Sequence, residues 1–104
     1  MTNYIFAFHG GNKPKTAEDS KAIMAKWGVW MKGLGGAIVQ AGAPISHSNT
    51  VTASGKVTDN GGSNPLSGFT IVQANNMAAA VKMANDCPIL DNQGTVEVAE
   101  MITQ

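Results

Sequence analysis

At 104 residues the chain is sized for one domain with one modest core, and its 7 Lys and Arg balance its 7 Asp and Glu. Without net charge or a block of like charge it has nothing with which to concentrate phosphates, which argues against nucleic acid and anionic membrane as partners. The single cysteine, Cys87, excludes an internal disulfide and a cysteine-based zinc site.

The apolar runs fall short of the ~20 residues that a bilayer span needs, and "MTNYIFAFHGG" has no basic region ahead of its apolar residues. The expectation is one soluble, cytoplasmic domain over residues 1–104, with no targeting signal and no membrane span.

From Asn3 to His9 the side chains alternate, Tyr4, Phe6 and Phe8 against Ile5, Ala7 and His9, which predicts a strand. "GGNKPK" breaks it, and Thr16 with Asp19 forms a capping pair for a helix from about Ala17. Ile23, Trp27, Trp30 and Leu34 make one apolar stripe, with Lys21, Lys26 and Lys32 left to water. "GLGG" ends the helix, since Gly accepts the left-handed conformation that helix termini use.

"AIVQAG" is a second strand, and "NTVTA-SG-KVTD" predicts a hairpin with a two-residue Ser-Gly turn. A loop rich in Gly, Asn and Ser leads into "SGFTIVQA", the clearest strand of the chain. A second helix spans about Met77 to Asp86, capped by Asn75 or Asn76 and stopped by Pro88. "TVEVAEMI" is the last strand, with Val96 and Val98 opposite Glu97 and Ala99.

The order gives an α+β, ferredoxin-like βαββαβ domain with a hairpin insertion, its two helices on one face of an antiparallel sheet. The other face is too apolar for water whichever strand row it carries, so a second copy of the chain is expected to cover it, making a homodimer.

Three stretches carry a resemblance: "WGVWMKGLGGAIVQAGAPI", "VTDNGGSNPLSGFTIVQANNMAAAVKMANDCPIL" and "GTVEVAEM". The chain resembles the YCII-related proteins, in particular the relatives of the bacterial DGPF-domain branch, over essentially its whole length. The resemblance implies a dimeric α/β barrel, two ferredoxin-like protomers whose sheets face one another across a cleft. Asp59 stands where the DGPF motif has its Asp, and Asn60 to Pro65 replaces the rest. The resemblance thus implies a fold and a cleft, not a reaction.

His9 ends the first strand before two glycines, where an imidazole can carry protons near neutral pH. The plainer reading is a strand-end His hydrogen-bonded to a neighbouring loop. Asp59 is the candidate to orient His9, against a turn Asp bonded to its own backbone. Gly61, Gly62, Ser63 and Asn64 offer N–H groups and short side chains for a polar ligand, as a simple reversal of the chain would also require. His47, in a polar loop, is expected at the surface and becomes a ligand-binding candidate at a cleft mouth.

Trp27 and Trp30 are expected in the core, and Gln73 and Glu97 line whichever sheet face they share. Cys87, beside Pro88, is expected to be packed and inert. Neither "GLGG" nor "GGNKPK" has the setting of a phosphate loop, and His9 and His47 lack metal-ligand spacing, so no cofactor and no metal are expected. Two functions stand: a small polar molecule bound in the dimer cleft with His9/Asp59 acid–base chemistry, or a non-catalytic metabolite-binding or purely structural dimer.

Overall fold

The computed structural model describes residues 1–59 and 64–103. Six strands and two helices follow in the order β1 (Thr2–Gly10), α1 (Ala17–Leu34), β2 (Ile38–Pro44), β3 (Asn49–Val51), β4 (Val57–Asp59), β5 (Leu66–Ala74), α2 (Met77–Ala84) and β6 (Gly94–Glu100). The main sheet has the order β2-β5-β1-β6 with antiparallel neighbours, and β3 and β4 form a separate two-stranded sheet. This is an α+β domain compatible with the ferredoxin-like arrangement expected.

The period of two in β1 decides which face the helices cover. Tyr4, Phe6 and Phe8 are buried, as are Gly68, Thr70, Val72 and Ala74 opposite them in β5. α1 lays its aromatic stripe on this surface. Trp30 lies 6.0 Å from both Phe6 and Phe8, and Trp27 meets Phe8 edge to face at 5.0 Å. Trp30 also donates its indole N–H to the Met83 carbonyl at 3.0 Å, which fastens α1 to α2 without stranding a buried polar group. α2 approaches closely because the residues it buries, Ala80 and Ala84, are small.

The helix ends follow local chemistry. Thr16 Oγ1 accepts from the Asp19 N–H at 3.0 Å, and α1 closes where the Gly35 N–H donates to Met31. Asn76, one of the two expected caps, accepts from the Ala79 N–H at 2.8 Å. α2 ends at Ala84, two residues short of the expected Asp86, and a short 3-10 helix over Pro88–Asn92 follows in place of a bare turn. Pro88 lacks the N–H that continuing α2 would require, yet its fixed φ suits a new helical turn.

The hairpin differs from expectation in its turn. Val51 pairs with Val57, the Thr52 N–H donates to Lys56 and the Gly55 N–H returns to Thr52, so Ala53-Ser54-Gly55 make a three-residue loop. Gly55 takes φ 86°, the left-handed position that closes such loops. In the edge strand β2 the pairing with β5 slips between Gln40 and Ala43. Gly42 sits in that slip at φ 77°, where a Cβ would stand 1.8 Å from the Phe69 carbonyl oxygen.

Candidate functional site

The face of the sheet that no helix covers carries Ile5, Ala7 and His9 from β1, Phe69, Ile71 and Gln73 from β5, and Thr95, Glu97 and Ala99 from β6. The three strands present an apolar centre with polar groups toward the ends. Gln73 ties one end to the Gly36 carbonyl at 3.5 Å. His9 and Glu97 occupy the other.

His9 is placed by the β1–β6 register. It stands opposite Thr95 while Ala7 stands opposite Glu97, so His9 and Glu97 are diagonal neighbours on one face, within reach for long side chains. His9 Nε2 lies 3.1 Å from Glu97 Oε1, and Nδ1 lies 3.2 Å from the Asn64 carbonyl oxygen. The His9 side chain is only 15 % exposed, whereas that of Glu97 is 69 % exposed. Both neighbours accept hydrogen bonds when Glu97 is ionised. A neutral imidazole can then donate to one of them and an imidazolium to both.

Two further bonds fix the same corner. The Gly10 N–H donates to the Pro65 carbonyl at 3.2 Å, and the Ser67 hydroxyl donates to the Gly10 carbonyl. Residues 64–67 are thus stapled to the exit of β1, with His9 as one of the staples. The plainer expectation, a strand-end His bonded to a neighbouring loop, is present in the Nδ1 bond to Asn64.

Asp59 and His47 meet elsewhere, on the β3–β4 hairpin. Asp59 Oδ1 lies 3.2 Å from His47 Nε2, with side chains 86 % and 59 % exposed. Asn49 faces Asp59 across the ladder, and its amide nitrogen reaches the same carboxylate at 3.2 Å once the amide is turned to donate. An ion pair this open to water is worth little to stability. The structure therefore pairs His9 with Glu97 and Asp59 with His47, and Asn64 joins the His9 group through its backbone. Gly61, Gly62 and Ser63 lie outside the described residues.

Glu97 as the partner of His9 is the feature that sequence reasoning missed. Its signal was available: the apolar rows Tyr4, Phe6, Phe8 and Val96, Val98 both belong to the core, which leaves His9 and Glu97 together on the other face, but which residues stand opposite depends on register. Cys87 is buried, and burial pushes its thiol up to about 11, so it is a packed thiol and no nucleophile at neutral pH. Among the described residues, no three His, Cys, Asp or Glu side chains come together to hold a metal ion, and no helix is long and apolar enough to cross a membrane.

The family model of the YCII-related domain matches residues 5–103, nearly the whole chain, and the chain belongs to that family. No curated protein matches it.

Proposed function

We propose that this YCII-related protein is a homodimer that binds a small polar molecule between two helix-free sheet faces, with His9 as proton carrier and Glu97 as the carboxylate that orients it. The observation that carries this reading is the His9 imidazole. It is largely shielded, held at both nitrogens, and set at the edge of an apolar sheet face. A second copy laid on that face, as in a dimeric α/β barrel, would enclose Ile5, Ile71 and Phe69 and leave the His9 end as the polar wall of a cleft. Asp59 and His47 would then belong to the rim. A cytoplasmic setting and membership of the DGPF branch go with this reading.

A second reading, a non-catalytic metabolite-binding or structural dimer, is favoured by one observation. Both nitrogens of His9 already engage protein acceptors, which a purely structural staple would also do. Nuclear magnetic resonance with a set of small carboxylates, phosphates and amides addresses both. Binding that shifts Ile5, Ala7 and His9 and is lost in His9→Gln supports the site, and turnover of the bound compound then supports acid–base chemistry over the second reading. Shifts confined to other surfaces, or binding at this face that His9→Gln leaves intact, would overturn the role given to His9.

A further inference from the structure

We infer that the cleft between the N-terminal half of α1 and strands β2 and β5 is a second binding site, one that takes a neutral, largely apolar small molecule with an aromatic body. It lies between α1 and the sheet, sharing Ser67 and Phe69 with the corner and face described above, and does not depend on the function proposed above. Its volume is about 500 Å³, within the range of small-molecule pockets.

Along its floor the strands run close together: Gly42 has no room for a Cβ beside the Phe69 carbonyl, and a Cβ on Gly68 would come within 3.0 Å of the Ala43 carbonyl. The two glycines leave that part of the floor without side chains, and α1 fills the space above it only in part. Ile23, Trp27 and Met31 are half-buried there, while Met24 stands at the edge, 69 % exposed.

The lining specifies the ligand. None of the residues around the cleft carries a charge, so an ionic ligand would lose its hydration without compensation. Trp27, Trp30 and Phe8 meet one another edge to face, at 5.6 Å, 5.0 Å and 6.0 Å between ring centroids, and Trp27 and Phe8 line the cleft. A ligand ring adds to that cluster. Met24 and Met31 supply unbranched, polarisable walls that conform to its outline. The Ser67 and Thr70 hydroxyls already donate, to the Gly10 and Ala41 carbonyls, so each oxygen has a lone pair to offer and the ligand's polar atom is a donor.

Titration with N-phenyl-1-naphthylamine, a neutral aromatic amine that brightens in apolar surroundings, tests the site. Saturable binding of one probe per chain is expected, with quenching of tryptophan fluorescence. Ser20→Phe, which puts a ring into the cleft, and Met24→Glu, which puts a charge at its exposed edge, each weaken binding at least tenfold. Val29→Glu, an equal charge at an exposed α1 position outside the cleft, leaves it unchanged. Absence of saturable binding, or binding that both cleft variants retain, would overturn the inference. So would binding whose strength follows protein concentration, since the probe would then sit between copies of the chain.

Discussion

His9 and Glu97 stand diagonally across the β1–β6 ladder with Nε2 3.1 Å from Oε1, and the same imidazole reaches the Asn64 carbonyl through Nδ1. One ring thus joins the last strand to the chain that enters β5. The two contacts are unequal in setting, because Asn64 is fixed by its neighbours in the staple while Glu97 is an exposed side chain.

That inequality predicts unequal stability effects. His9→Ala takes the ring away from both acceptors at a shielded corner, which should lower the unfolding free energy by about 1–2 kcal/mol. Glu97→Gln keeps an acceptor at an exposed position and should cost about 0.5 kcal/mol or less. Urea unfolding of the two variants measures the difference, and equal losses would show that the Asn64 bond contributes nothing.

Two glycines should respond in opposite directions to the same added methyl group. Gly42→Ala would force a Cβ at positive φ to within 1.8 Å of the Phe69 carbonyl oxygen, so β2 must shift off β5. Left-handed strain alone is about 1–3 kcal/mol, and the clash adds to it. Gly28, exposed in the middle of α1 with nothing within 4 Å of its missing Cβ, should gain about 0.5–1 kcal/mol on substitution by Ala. Thermal unfolding of Gly42→Ala and Gly28→Ala distinguishes the two.

Cys87 makes stability depend on pH in the alkaline range. Its folded thiol is raised to about 11 by burial, against about 8.5 for a free thiol. Between those values the unfolded chain releases the proton and the folded chain keeps it, so the unfolded state binds fewer protons and stability falls as pH rises. The contribution is fully present below about pH 8.5 and lost on the way to 11. Cys87→Ala should flatten that part of the stability–pH curve. In the native protein the thiol should resist a disulfide reagent at pH 8, yet react at once in urea.

Much of the fold was legible because it rests on local rules. The alternation in β1 identified Tyr4, Phe6 and Phe8 as one row, the stripe in α1 identified Trp27 and Trp30, and Thr16 and Asn76 cap the helices by short-range bonds. Two features differ from that reading. The Ser54-Gly55 pair reads as a two-residue turn, but the Thr52–Lys56 bond extends it to three residues. Asp86 falls outside α2 because Cys87 and Pro88 begin a new 3-10 turn packed in the core.

The partnering of the candidate site was the least legible part. Asp59 precedes the Gly-rich loop and His9 ends a strand, which suggested that they work together. Pairing of β3 with β4 instead carries Asp59 toward His47, and pairing of β1 with β6 gives His9 the carboxylate of Glu97. Which side chains meet across a sheet is set by register, and residue type alone does not encode it.

In the function proposed above, a second copy of the chain closes the helix-free face and makes the His9 end part of a cleft. Sedimentation equilibrium at micromolar concentration, run on the native chain and on Ile71→Lys, tests it most directly. Ile71 lies at the centre of that face, paired with Ile5. The account predicts twice the chain mass for the native protein and a single chain mass for Ile71→Lys, whose charge would be buried by the dimer. A single chain mass for the native protein, or a dimer that Ile71→Lys leaves intact, would contradict it.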